Sequence, residues 1–190
     1  MDWILASASP RRKELLAEVI REFSILPSQA DEVVQGNPTP RELVEALALQ
    51  KAQEVADRVE ARGKAVLGAD TVVALDGEVL GKPKDEADAF RMLTALSGRT
   101  HEVYTGVCML YPAEDGGRKK AVAADCTKVT FLPLTKEQIR EYIATGSPMD
   151  KAGAYGIQDG GLVQKIEGSF SNVVGLPVEL CKEMLQRITE

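Results

Sequence analysis

One stretch constrains this chain more than any other: Trp3-Ile4-Leu5-Ala6-Ser7-Ala8-Ser9-Pro10-Arg11-Arg12-Lys13-Glu14-Leu15-Leu16. The apolar run Trp3 to Ala6 predicts a short buried strand. Ser7, Ala8 and Ser9 are small enough for a tight turn. Ser9 suits a helix N-cap and Pro10 the first helical position. Leu15, Leu16, Val19 and Ile20 then recur at helical spacing. Arg11, Arg12 and Lys13 fall in the first turn, where each cation opposes the helix dipole by about 0.3–1 kcal/mol. Stability alone would place acidic residues there. Hydroxyls, free backbone N–H groups and three cations on a strand-to-helix turn make an anion site, and phosphate is the natural occupant. The alternative is a solvated basic turn.

The rest of the composition narrows the class of ligand. The 190 residues carry a net charge of −6, which argues against a general nucleic-acid surface. The basic cluster is therefore local and suits a small anion. The length fits one domain, 1–190, with one sizeable core. No apolar stretch reaches membrane-spanning length, and the acidic start Met1-Asp2-Trp3 does not match a signal peptide. Cys108, Cys126 and Cys181 are far apart and form no Cys-x-x-Cys pair. Reduced thiols and a cytoplasmic location are expected.

Further along, Phe23 to Leu26 predicts a strand running into a polar loop with Asp31 and Glu32, carboxylates that are either ligand groups or simply solvated. Thr39-Pro40-Arg41-Glu42 forms a capping box. It opens a helix expected to reach Arg62-Gly63, with Leu43, Ala46, Leu47 and Val55 inward. Lys51 lies on or beside that face and by itself reads as a snorkelling lysine. Ala65 to Leu75 is the strongest strand, returned by an Asp76-Gly77 hairpin turn. Asp70 sits inside it. A buried carboxylate costs several kcal/mol unless it has a cation, a metal or a raised pKa. No cation is adjacent in sequence, and Lys82, just past the hairpin, is placed to reach back.

Asp85 or a neighbour caps a helix ending near Leu96. Strands are expected at 103–110 and 123–132, and Thr135-x-x-Gln138 forms a second capping box. His101, the only histidine, has no metal-ligand spacing around it. Asp150 to Gly161 is a glycine-bearing loop, expected to be ordered because Ala, Tyr and Ile interrupt it. Residues 162–166 suggest a strand, 168–172 a turn, and Pro177 the start of the last helix.

Arg11, Arg12, Lys13, Lys51 and Lys82 are thus candidate anion binders, and Glu32 and Asp70 are carboxylates in sensitive places. Phosphoryl chemistry needs this mixture, cations for the phosphate oxygens and carboxylates to hold a divalent metal or activate water. Neither G-x-x-x-x-G-K-[ST] nor G-x-G-x-x-G is present. The residues by themselves lead to metal-assisted phosphate chemistry on an α/β domain.

Several blocks, in order, resemble the Maf family of nucleoside triphosphate pyrophosphatases. They are Ser7-x-Ser9-Pro10-Arg11-Arg12-x-Glu14-Leu15-Leu16, Asp31-Glu32, Leu49-x-Lys51-Ala52, Gly68-Ala69-Asp70-Thr71-Val72-Val73, Gly81-Lys82-Pro83, Leu96-Ser97-Gly98-Arg99-x-His101-x-Val103-x-Thr105-Gly106-Val107, Asp150 to Gln158, and Ser171-Asn172-Val173-x-Gly175-Leu176-Pro177. The resemblance implies an α/β fold with an elongated mixed β-sheet flanked by helices, ITPase-like, in two lobes around a cleft. It implies a homodimer that cleaves a nucleoside triphosphate to monophosphate and pyrophosphate with a divalent metal, Mg2+ or Mn2+. By position, Asp70 would be the general base and share the metal with Glu32. Ser7, Arg11, Arg12, Lys51 and Lys82 would hold the triphosphate. Arg12, Thr71 and Gln158 match the branch acting on dTTP and UTP rather than 7-methyl-GTP. The implied role is house-cleaning of canonical and modified pyrimidine nucleotides, with a link to cell-division arrest. A non-catalytic nucleotide-binding regulator of septum formation and a nucleotidyltransferase are the rival readings.

Overall fold

The computed structural model describes all residues, Met1–Glu190. Its centre is β3 (Ala65–Leu75), buried along its whole length except at Thr71, which is half-buried. A β-branched and aliphatic run of this length can be buried on both faces only if both are covered by other layers. β1 (Trp3–Leu5) pairs parallel with β3 on one side and with β2 (Phe23–Ile25) on the other. β4 (Glu78–Leu80) folds back on the far half of β3 through Asp76-Gly77. Both turn residues have positive φ, 52° and 80°, the conformation in which an Asp-Gly pair closes a two-residue hairpin. On its other edge β3 pairs antiparallel with β5 (Thr100–Pro112), which pairs with β6 (Arg118–Phe131) and then β7 (Val163–Glu167). The result is a seven-stranded mixed sheet in the order β2-β1-β3-β5-β6-β7, with β4 beside β3.

This pairing leaves a gap. β1 pairs with residues 65–67 of β3 and β4 with residues 73–75. Between them, residues 68–72 have no strand neighbour on that edge. The core divides at the same place. One apolar cluster, around Leu93, Phe131 and Ile139, lies at the β4 end under α3 (Glu86–Leu96) and α4 (Lys136–Ala144). At the β1 end the sheet is covered on both sides. Leu5, Leu16, Leu67 and Met109 pack on one face with α1 (Pro10–Leu16) and α6 (Val178–Thr189), and Ile4, Val66 and Ala48 on the other with α2 (Pro40–Ala56). The gap between the two lobes is the cleft.

Capping follows the sequence closely. Ser9, Thr39, Asp85 and Thr135 each accept a backbone N–H at a helix start, and Thr135-Gln138 completes a reciprocal box. At Thr39 the box is half made, since Glu42 accepts from the threonine hydroxyl rather than from the backbone.

Three expectations are corrected. The second helix ends at Ala56 rather than near Arg62. Its last carbonyl finds a distant partner, because Arg118 donates to Ala56 O at 2.8 Å and also to Ala61 O, in the turn that follows, at 3.2 Å. The inward seam of α2 is Val44, Ala48, Ala52 and Val55, with Leu43 and Ala46 only half-buried. Small residues face the sheet because the helix lies directly on two glycines. A Cβ on Gly68 would come within 2.5 Å of Ala48 O, and one on Gly106 would overlap the carbonyl of Val44. Finally, residues 168–172 are not a plain turn but lead into a short helix, α5 (Phe170–Val174), capped by Ser169.

Candidate active site

A cleft of roughly 840 Å³ opens over the unpaired edge of β3, a volume in the range of small-molecule sites. Ser7, Arg11, Arg12, Glu32 and Lys51 line it, and so do Asp70, Thr71, Lys82 and Gln158. These nine come from six separate parts of the chain. Lys13 does not join them; it is exposed and outside the lining.

Asp70 is placed by alternation. It shares a face of β3 with Gly68, two residues earlier. Because Gly68 lets α2 sit on the backbone, Lys51, one residue before Ala52, is carried to the carboxylate. Lys51 Nζ lies 2.6 Å from Asp70 Oδ1 and 3.0 Å from Glu32 Oε1. The cation that satisfies the buried carboxylate is therefore Lys51, nineteen residues away in sequence, and not Lys82. Lys82 is exposed on the cleft wall, where its charge adds to that of Lys51. The Lys51 hydrogen bond, then the nearby charges of Lys51, Lys82 and Arg12, hold the Glu32 carboxyl below the usual carboxylate range against the cost of its partial burial.

Thr71 faces the opposite side of the sheet and meets Arg12. The Arg12 Nε donates to Gly175 O at 2.8 Å and Nη2 donates to Thr71 Oγ1 at 3.1 Å. Of the five guanidinium donors, three are left for a ligand. Burial pushes the Arg12 pKa down, and Asp70 opposes that shift. Arg12 is thus more deeply engaged with the fold than a solvated first-turn cation. The turn before it uses its own hydroxyls: Ser9 N–H donates to Ser7 Oγ at 3.2 Å, and Arg12 N–H donates to Ser9 Oγ at 3.3 Å.

Gln158 is exposed on a short helical turn, Ile157–Asp159. The loop that carries it is ordered, as expected, and polar ties explain why. Tyr142 Oη receives Gly156 N–H at 2.9 Å and donates to Asp159 at 2.6 Å. Lys151 Nζ donates to Ser147 O at 2.7 Å. Beneath the loop, His101 Nε2 and Tyr155 Oη share a 2.6 Å hydrogen bond, and burial pushes the His101 pKa down to about 4. His101 is structural, as its isolation in sequence suggests.

The residues behind Arg12, namely Thr105, Asn172 and Gly175, stand in the blocks that carry the resemblance, but the sequence attaches no site role to them. Gly175 contributes only a carbonyl, invisible in residue type. Thr105 and Asn172 are fully buried polar residues whose partners lie on other elements.

Glu32 and Asp70 meet at one point, now filled by an ammonium. Two hard carboxylate oxygens with an open cleft beside them suit Mg2+ or Mn2+, which take one or two carboxylates and complete their shell from phosphate oxygens and water. The residues present fit a divalent cation.

A protein from Thermococcus gammatolerans named dTTP/UTP pyrophosphatase is 51% identical over 93% of this chain and 91% of its own length. One of the same name from Moorella thermoacetica is 52% identical over 96% and 92%. The solved structure of a HAM1 protein from Coxiella burnetii superposes with a TM-score of 0.52 at 15% identity, covering 100% of this chain and 98% of its own, a likeness of fold. No helix is long and apolar enough to cross a membrane. The model of the Maf-like protein family matches residues 2–188, and the chain belongs to that family.

Proposed function

We propose that this protein hydrolyses dTTP and UTP to the monophosphate and pyrophosphate. The observation that carries the reading is the identity of about half of all positions, over nearly the whole chain, to proteins named dTTP/UTP pyrophosphatase. The cleft supports it, since Arg12, Thr71 and Gln158 line the same space as the paired carboxylates.

In this reading Arg11, Arg12, Lys51 and Lys82 bind the triphosphate, whose charge near −4 they offset. Arg12 brings three donors already oriented by Gly175 and Thr71, so little reorganisation accompanies binding. Lys51 exchanges its carboxylate partners for phosphate oxygens. Glu32 and Asp70 would hold the divalent cation, which when bound supplies charge neutralisation along the triphosphate. Asp70 Oδ1 faces Lys51, and its second oxygen takes the proton of the water that attacks the α-phosphorus. Pyrophosphate leaves as the in-line group. Gln158 reads the pyrimidine edge with an amide that both donates and accepts. The homodimer belongs to the same proposal and is checked by light scattering.

The test is direct. With UTP or dTTP and Mg2+ or Mn2+, without a second substrate, the products should be pyrophosphate and a monophosphate. Orthophosphate with a diphosphate would place the cleavage elsewhere. A preference for 7-methyl-GTP would place the chain in the other branch.

A further inference from the structure

Behind Arg12 the structure contains a line of hydrogen bonds whose direction can be worked out. Thr105 on β5 lies directly across from Thr71 on β3, is fully buried and does not line the cleft. Its Oγ1 donates to the main-chain carbonyl of Asn172 at 2.9 Å. A carbonyl only accepts, so the single proton of Thr105 is spent there. The 2.8 Å contact between the Thr71 and Thr105 hydroxyls is then made by the proton of Thr71. Thr71 Oγ1 is left with lone pairs alone, and it receives Nη2–H of Arg12 at 3.1 Å.

The far end is anchored as firmly. The Asn172 amide donates to Val103 O and to Thr127 Oγ1, both at 3.0 Å, and Thr127 passes its proton to Ser169 O at 2.9 Å. The carbonyl that ends the line therefore sits on a segment pinned to β5 and β6. A few residues later the same segment supplies Gly175 O to Arg12 Nε.

We propose that Thr105 is a positioning residue: by taking the Thr71 proton it turns Thr71 into a pure acceptor, and so aims the Arg12 guanidinium at the nucleotide triphosphate. This rests on the functional reading above, in which Arg12 binds that group. Without the Thr105 hydroxyl, Thr71 is free to donate into the cleft, and the seat of Arg12 loses its fixed polarity. It also follows that Thr71 has no proton to offer a pyrimidine carbonyl, so its part in substrate choice runs through Arg12.

The experiment measures the affinity of the non-hydrolysable analogue α,β-imido-UTP by calorimetry, with kcat and KM for UTP. The proteins are the wild type, Thr105→Val, Thr105→Ser, Thr71→Val and the double variant Thr71→Val/Thr105→Val. Thr105→Val should weaken the analogue and raise KM by about tenfold, with kcat within about threefold. Thr105→Ser should restore affinity to within about threefold. The double variant should bind no more weakly than Thr71→Val alone, because both changes break one line. Wild-type affinity in Thr105→Val, or losses that multiply in the double variant, would overturn the proposal. If Thr105→Val does not fold, Thr71→Val against Thr71→Ser at the half-buried position decides it: equal affinity in both is the overturning result. A wild type that binds the analogue yet releases no pyrophosphate from UTP removes the functional reading, and the affinity series still judges Thr105. A wild type that binds no analogue removes both.

Discussion

The ammonium of Lys51 lies 2.6 Å from the carboxylate of Asp70 and 3.0 Å from that of Glu32. One cation on a helix thus bridges a strand and a loop, at the point where two hard oxygen ligands converge. In the proposed reading, Lys51 stands where the divalent cation would bind.

Asp70→Asn should lower kcat by about 10²–10⁴, the usual contribution of a general base. Removing a buried charge by itself would raise stability. The structure argues otherwise, since Lys51 would lose the charge of its nearer partner and keep only that of the exposed Glu32. The melting temperature should hold or fall. Measured together, kcat and Tm decide; a fully active variant would remove Asp70 from the chemistry.

Lys51→Met should tighten Mn2+ binding without nucleotide while weakening the triphosphate. Like unit charges about 4 Å apart at an effective dielectric of about 20 repel by about 4 kcal/mol. Relief of a third of that is about tenfold in affinity. Calorimetry with Mn2+ alone reads this outcome; weaker Mn2+ binding would show that Lys51 supports the metal site instead of competing for it.

Arg11→Ala and Arg12→Ala should differ. Both should raise KM for UTP. Only Arg12→Ala should also lower Tm, by several degrees, because it leaves Gly175 O and Thr71 without their donor. Equal melting temperatures would show that these two bonds add nothing to the fold.

Gly106→Ala tests how Lys51 is delivered. The added methyl would overlap the Val44 carbonyl and force α2 off the sheet. Overpacking of this kind costs about 1–3 kcal/mol, and Lys51 should move with the helix. Chemical denaturation should report the loss, and KM for UTP should rise. An unchanged KM would mean that the seat of Lys51 does not depend on the glycine contact.

His101 should make stability fall on mild acidification. Its pKa is pushed down to about 4 by burial, while an unfolded histidine titrates near 6.5. Below about pH 6.5 the unfolded chain takes up a proton that the native state refuses, so stability drops. Between pH 7 and pH 5 this amounts to roughly 2 kcal/mol. Carboxylates such as Glu32, held low in the fold, lose their contribution only at lower pH, so the window isolates the histidine. Urea unfolding of wild type and His101→Gln at both pH values checks it; parallel losses would assign the slope to another group.

Local features were legible in the sequence because they rest on contacts a few residues long. The Ser9-Pro10 helix start, the Asp85 cap, the Thr135-Gln138 box and the Asp76-Gly77 turn all appear where residue chemistry places them. The anomaly of a carboxylate inside an apolar strand marked Asp70, since burial energetics alone require that it be partnered. Sequence could not say which cation answers it. Lys82, beyond a tight hairpin, is nearer in the chain, yet Lys51 reaches Asp70, because Gly68 and Gly106 admit a helix of small residues directly onto the sheet. The end of α2 was hidden for a like reason: no breaker stops it, and Arg118 on a remote strand satisfies its last carbonyl. Capping and turns are decided by neighbours along the chain, whereas close packing and the pairing of buried charges are decided by residues that only the folded sheet brings together.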